Sequence, residues 1–468
     1  MELGLGLTRL LPLLIYFMAI GVIVMTIFYR IEVGIFFFVP FIPQQSLMDA
    51  IVQYPLGNNF VDFLLLAMVV RWYLDSRKED DSDATNKKPF LVKTPFNKWI
   101  MWLAIYTYFG LWFGSMFLGI PAPLSISNPR FMTWKNFMIL PMIFLIIVNN
   151  VKSKQHIQIL VVLMALSMLF MDRSVVSMIA GRDTSHFDKE LRVAGTFSYL
   201  GPNALAVFYA QFTGLMTCLA LMDRAKWRRL LFLSTSALNY FCLAFLFSRS
   251  GYLAALFTWA FIGLYRDRRV LGAVIILLIF WKSLLPTAVV ERIEMTKTEE
   301  GLDSSVAERL DLWQQAIHVF SESPILGVGF DASPYLGYKD GVVHKDRRSL
   351  HNGYLEVVSE NGIIGLAIFL SFYFLGIKYG VRLYKRSKDP FMKGLGLGTA
   401  AAALGALGGN LAGSYWQYLN VSGFYWVTIG LAMRGLLMAD EEEQQAQPET
   451  PPEKAAPETT LQPEPAPV

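Results

Sequence analysis

Charge is scarce in this chain. Asp, Glu, Lys and Arg make up 17% of its 468 residues, against 54% apolar and 14% aromatic. A water-soluble chain must cover its surface with polar side chains, so this balance excludes an ordinary soluble domain. Cysteine is nearly absent. Cys218 and Cys242 fall in apolar stretches, which argues against a disulfide framework and for two small buried hydrophobes. The N-terminus lacks a basic start and a small-residue cleavage pattern. Its first apolar block is therefore expected to remain as a membrane helix and not to be removed as a signal peptide. The sequence has no glycine-rich phosphate loop, zinc spacing or Asp-rich metal motif, and no internal repeat. The missing repeat weakens the case for a transporter built from inverted halves.

Apolar residues, in contrast, come in long blocks. Runs of roughly 17–25 residues can cross a hydrocarbon core of about 30 Å. Such blocks lie near 10–29, 58–75, 98–119, 134–150, 155–172, 202–222, 229–247, 250–265, 270–286, 362–381, 391–412 and 418–437. The shorter block 31–43, closed by Pro40 and Pro43, reads as a further span or a re-entrant segment. The expected fold class is an all-α integral membrane protein of about 12 transmembrane helices with a long, partly helical external loop.

Loop charge sets the orientation, because Lys and Arg accumulate on the cytoplasmic side. Basic clusters occur at 71–98, 152–154, 224–229, 266–269 and 382–393, all consistent with one topology. The opposite, external side then holds 120–133, 173–201, Ser248–Arg249 and the long loop 287–361. Residues 440–468 carry eight acidic groups and one Lys, so this stretch is −7 and the rest of the chain +11. Rich in Pro, Glu, Gln and Ala, it reads as a disordered cytoplasmic tail.

In the long loop, Ser305-Val-Ala-Glu308 forms a capping box. Val306, Leu310, Trp313, Ile317 and Phe320 follow at helical spacing as one apolar stripe. Pro324 closes that helix, Gly327 and Gly329 permit a tight turn, and a second short helix is expected from about Leu350 to Glu360.

Four basic residues on the external side are not explained by orientation: Arg192, Arg249, Arg309 and His351. Arginine is always charged and its planar fork suits phosphate oxygens. Several such forks at one membrane face could hold a pyrophosphate and stabilise it as a leaving group. A histidine could take the proton from an attacking hydroxyl. Taken singly, each has a plain reading. Arg249 could snorkel to the interface, Arg309 could pair with Asp311 or Glu308, Arg192 with Glu190, and His351 could cap a helix. Among the other polar residues, His344, Lys345, Arg347 and Arg348 form a basic run, and Glu356 and Glu360 read mainly as a solvated face. His318 reads as structural. Tyr415, Trp416, Tyr418 and Phe424 fit an interfacial aromatic belt, with sugar stacking as the lesser reading. From the residues alone, a transporter or flippase of a lipid-linked glycan stays open beside an enzyme.

Several segments resemble one family. These are Arg309-Leu-Asp-Leu-Trp313, Pro324-Ile-Leu-Gly-Val-Gly329, His351-Asn-Gly-Tyr-Leu-Glu356 and Glu360-Asn-Gly-Ile-Ile-Gly365. Together they are similar to the signature domain shared by O-antigen ligases, O-antigen polymerases and protein O-oligosaccharyltransferases. Phe247-Ser-Arg-Ser-Gly251 resembles the element that opens this domain, and Arg192-Val-Ala-Gly-Thr-Phe197 with Pro202-Asn203 resembles the segment before it. The likeness spans roughly 190–380 and divides the chain into N-terminal helices (1–190), a ligase-like membrane domain (191–438) and the tail (439–468).

The resemblance implies a metal-independent enzyme, without cofactor, in a bacterial inner membrane. It would move a glycan from a polyprenyl-diphosphate-linked donor to a hydroxyl of a lipid, saccharide or protein on the periplasmic face. Carried over by position, Arg192 and Arg249 would contact the diphosphate and His351 would activate the acceptor. Trp313, Asn352, Glu356 and Arg348 would join Arg309 at the substrate. Membrane lipid is the expected surrounding, and no nucleic acid is expected.

Overall fold

The computed structural model describes residues 7–44, 47, 49–82, 90–193, 201–295, 297–298, 301–302, 304–332 and 349–446. The chain runs through α1 (Leu7–Phe28), α2 (Ile31–Phe41), α3 (Phe60–Ser82), α4 (Pro95–Leu118), α5 (Pro129–Asn150), α6 (Lys154–Ile179), α7 (Pro202–Met222) and α8 (Lys226–Phe245). It continues with α9 (Arg249–Tyr265), α10 (Arg268–Leu284), α11 (Thr287–Glu294), α12 (Ser304–Glu322), α13 (Gly353–Arg386), α14 (Pro390–Asn410) and α15 (Leu419–Ala446). A two-residue antiparallel pairing of Lys297–Thr298 with Gly301–Leu302 links α11 to α12.

The helix starts follow from local chemistry. Proline stands at the first turn of α4, α5, α7 and α14, where its missing N–H forfeits no intrahelical bond. Asn128, Ser153, Ser248, Asp267, Asn352 and Asp389 accept backbone N–H bonds as N-caps.

All twelve apolar blocks lie on helices. Eight helices (α1, α4, α5, α6, α7, α13, α14 and α15) are long and apolar enough to cross a membrane, and α10 with α11, bent by 101°, would be a ninth span if taken together. These make the chain a multi-pass membrane protein. By length and apolarity the count is thus eight or nine among the described residues. The expected twelve also includes α9, only 17 residues long, and α3 and α8, which carry charged residues with their apolar ones. α2 has 11 residues, about 16 Å at 1.5 Å per residue, which is too short to span.

The core lies around α7, α14 and α15, each more than four-fifths buried along its apolar stretch. Along α14, small residues let backbones meet: a Cβ on Gly398 would lie 2.5 Å from a Leu215 methyl, and one on Gly409 2.4 Å from Val207. Without water to drive association, such close packing is what holds membrane helices together.

At one end of the bundle, the acidic start of the supposed tail meets basic helix ends. Lys154 pairs with Glu442 at 2.7 Å, Arg386 with Asp440 at 2.7 Å and Arg434 with Glu441 at 3.0 Å. Residues 440–443, expected to be disordered on composition, are therefore helical and ion-paired. Residues 447–468 lie outside the described residues.

Leu310 and Ile317 on α12 are exposed, while Ala316 is buried and Trp313 and Val319 turn inward. The stripe thus divides, with Leu310 and Ile317 outward and Trp313 inward. Trp416 and Phe424 are core residues, packed on Phe137 (4.6 Å) and Phe369 (5.2 Å), and on Phe208 (5.5 Å) and Phe212 (5.6 Å). They fill the space beside α7 and do not form a surface belt.

Candidate active site

At the other end of the bundle a cavity of about 880 Å³ opens. The chain starts five helices at or just behind its wall: α3, α5, α7, α13 and α15. Each helix start carries a partial positive charge, so their convergence favours an anion.

Arg192 and His351 line this cavity together. Arg192 stands just before α7 and donates from Nη2 to the Asn203 side-chain oxygen at 2.7 Å. That oxygen also accepts from the Ser248 hydroxyl at 2.9 Å, and Ser248 is bonded to Ser250 at 3.0 Å. Ser250 in turn bonds the Tyr415 hydroxyl. One polar chain thus joins the segment before α7, the start of α9 and the loop before α15. Burial, together with the charges of Arg249 and then Arg309, holds the Arg192 guanidinium below its usual range. Arg249 and Arg309 thus lie near enough to act on Arg192, though neither lines the cavity wall. Tyr415, buried beside the same arginines, is pushed up to about 12, chiefly by burial, so it stays a neutral hydroxyl at neutral pH.

The turn carrying Arg249 is tightly held. Phe247 takes a left-handed conformation with φ of 49°, and the Ser248 hydroxyl caps α9 at Gly251 N–H (3.4 Å). Phe247 packs with Leu191, Ala288 and Val289 in a small cluster that ties α11 to the Arg192 segment. Arg292 donates from Nε to the Phe247 carbonyl at 3.4 Å and lies 5.0 Å from the Phe187 ring.

His351 is also left-handed, with φ of 51°, and half-buried. Its N–H donates to Ser349 Oγ at 3.2 Å, and the preceding Leu350 carbonyl accepts from Trp313 Nε1 at 2.8 Å. On its other side, Asn352 caps α13 through Tyr354 N–H (3.0 Å) and Leu355 N–H (3.1 Å). Gly353 N–H donates to the Gly413 carbonyl at 2.8 Å, with Asn410 closing the space above it. Burial first, and Arg309 second, hold the imidazole below its ordinary range, against a smaller upward pull from Glu308. The ring is thereby neutral near pH 7 and able to take a proton.

The other expected site residues separate by role. Trp313 and Asn352 hold the backbone on either side of His351 and are absent from the cavity wall. Glu356 sits in the first turn of α13, also off the wall. Glu360 is buried and not solvated. Its side chain accepts from Asp331 N–H at 3.2 Å and its carbonyl from Gly329 N–H at 2.7 Å. His318 is an exposed side chain 3.6 Å from Glu322. Arg348, with His344, Lys345 and Arg347, lies outside the described residues, as do residues 194–200.

Two basic residues escaped the sequence reading. Arg130 is 2% exposed and donates to the carbonyls of Leu111 (2.9 Å) and Phe330 (2.7 Å), fastening the 327–332 turn to α4. Lys135 pairs with Asp62 on the cavity wall. Both stand on the same side as Arg192, against the loop-charge rule, so the logic that singled out Arg249 would have found them too.

Residues 231–370 match the family model described as O-antigen ligase, and this part of the chain carries that domain. The match takes in Arg249, Arg309 and His351 and leaves Arg192 outside it. The chain is also similar to the exopolysaccharide production protein ExoQ of Rhizobium meliloti (strain 1021), 32% identical over 100 residues. That stretch is 19% of this chain, and the chain spans 23% of the length of ExoQ.

Proposed function

We propose that this protein is a membrane glycan ligase or polymerase of cell-envelope polysaccharide synthesis. It transfers a glycan from a polyprenyl-diphosphate-linked donor to a hydroxyl acceptor. The cavity faces the periplasm of a bacterial inner membrane and the basic helix ends face the cytoplasm, in keeping with the distribution of loop charge. One observation carries the reading: Arg192 and His351 line one cavity, with Arg249 and Arg309 near enough to act on Arg192.

In this reading the acceptor hydroxyl attacks the anomeric carbon of the donor sugar, its oxygen forming the new glycosidic bond. The bond from that carbon to the diphosphate oxygen breaks, with inversion, and polyprenyl diphosphate departs. The hydroxyl proton passes to the His351 imidazole. The guanidiniums of Arg192, Arg249 and Arg309 take up the charge that develops on the departing diphosphate, the work a metal ion does in other phosphate chemistry. Holding donor and acceptor side by side supplies the rest by proximity. The likeness to ExoQ, a protein of exopolysaccharide production, favours a polymeric sugar product.

The test is glycan transfer by the full chain in lipid nanodiscs, with lipid and saccharide acceptors offered in turn. His351→Asn is the informative variant, because asparagine tolerates a left-handed backbone while the imidazole is removed. Loss of a general base typically lowers rate by about 10²–10⁴, and that fall is expected with the protein still folded. Near-wild-type transfer by this variant would sink the mechanism.

A further inference from the structure

The cavity wall is built from two chemically different sets of residues. Arg192 and His351 mark one. The other comes from the segment leading into α3 and from the first turns of α5, through Asp49, Asn58, Asn59, Asp62, Lys135 and Asn136. This second wall contains two carboxylates, one ammonium and three amides, so it carries a net single negative charge and many hydrogen-bonding groups of both kinds. Asn58, Asn59 and Asn136 are exposed to the cavity volume, and Asp62 is oriented by its ion pair with Lys135. Leu56, which leads into the short turn bearing Asn58 and Asn59, is held left-handed at φ of 65°. That fixes the presentation of the two amides.

From this polarity we infer that the amide-carboxylate set is a saccharide subsite that takes an uncharged, hydroxyl-rich sugar and discriminates against acidic ones. Amides and carboxylates offer donors and acceptors that match vicinal hydroxyls, while a uronate carboxylate would meet Asp49 and Asp62. The cationic set holds the diphosphate, so a single substrate or a pair meeting in the cavity is oriented by its charge. The subsite lies wholly outside residues 231–370, which match the ligase model. The transfer residues and the sugar-selecting residues thus come from separate parts of the chain. The inference rests on the transfer reading only for which substrate brings the sugar.

The experiment measures binding separately from turnover. The full chain in nanodiscs is probed by saturation-transfer NMR with neutral tetrasaccharides of glucose, galactose, mannose and N-acetylglucosamine, and with tetragalacturonate. At least one neutral tetrasaccharide should bind, with tetragalacturonate about tenfold weaker, as expected for a like-charge clash. Asn59→Ala and Asn136→Ala, both at exposed positions that do not support the fold, should each weaken the neutral probe about three- to tenfold, the span of one or two lost hydrogen bonds. Asp62→Asn should narrow the discrimination against the uronate. Binding is read without turnover, so a failed transfer mechanism leaves this result readable. The sources separate in the transfer assay: a raised KM for donor in Asn59→Ala assigns the subsite to the donor glycan, and a raised KM for acceptor assigns it to the acceptor. The inference is overturned if no neutral probe binds, if the uronate binds as well, or if Asn59→Ala and Asn136→Ala change neither binding nor either KM.

Discussion

At Phe247 and His351 a bulky side chain occupies the left-handed region, which costs an L-residue about 1–2 kcal/mol. His351 lines the cavity, Phe247 precedes the Ser248 that bonds Asn203 on its wall, and left-handed Leu56 leads into Asn58 and Asn59. Such strain persists only where the surroundings over-determine it, and the bonds on either side of His351 do so. The position of the imidazole is therefore built in before substrate arrives. Its depressed pKa has a kinetic consequence. A base must be neutral to act, so kcat/KM should rise with pH, with its midpoint below the ordinary histidine value of about 6.5. Arg309 is the second cause of that depression. Arg309→Gln should shift the acid limb of the profile to higher pH, whatever it does to the plateau. A limb that stays in place would show that Arg309 does not act on His351.

Among elements, the joint between the long loop and the helices explains two of the segments that carry the family resemblance. Gly362 breaks α13 with φ of 61°, and its amide neighbour Ile363 donates to the Pro324 carbonyl at 2.9 Å. Val328 and Gly329 N–H groups donate to the carbonyls of Ser359 (2.9 Å) and Glu360 (2.7 Å). The Pro324–Gly329 and Glu360–Gly365 segments are two halves of one docking joint, with Arg130 and Tyr106 bonding it to α4 and α5. Gly329 sits at φ of 109°, and a Cβ there would lie 2.3 Å from Gly114 Cα and 2.5 Å from the Gly110 carbonyl. Gly329→Ala should destabilise the protein by roughly 2–4 kcal/mol, combining backbone strain and clash. Thermal unfolding in detergent and trypsin sensitivity of the loop would report it. An unchanged melting temperature would show the joint to be dispensable.

For the whole molecule, charge is sorted between the two ends. Guanidiniums and helix starts gather at the cavity, and the acidic end of α15 binds the basic ends of α6 and α13 opposite it. These exposed pairs are each worth at most about 1 kcal/mol. A triple variant, Asp440→Asn with Glu442→Gln and Glu443→Gln, should lower the melting temperature by a few degrees in dilute buffer. The difference should vanish near 1 M salt, where screening acts within about 3 Å. A loss that persists in salt would point to packing instead. Transfer itself should continue in EDTA, because the arginines carry the compensating charge. Activity lost on chelation and restored by a divalent cation would refute that part of the proposal.

The membrane class, the position of every apolar helix, the loop helix after Ser304 and the four basic residues of interest were all legible in the sequence. Apolar length, capping residues and charges on the unexpected side are local properties that survive without a fold. What needed the tertiary structure was everything that depends on neighbours. Trp313 and Asn352 carry polar groups suited to substrate, yet they bond the backbone around His351. Glu360 appears solvated until the 327–331 turn folds over it, and Trp416 appears interfacial until Phe137 and Phe369 close on it. The saccharide wall was illegible for the same reason. Asp49, Asn58, Asn59 and Asn136 are unremarkable polar residues at helix starts, and only helix packing brings them into one cavity with Arg192 and His351.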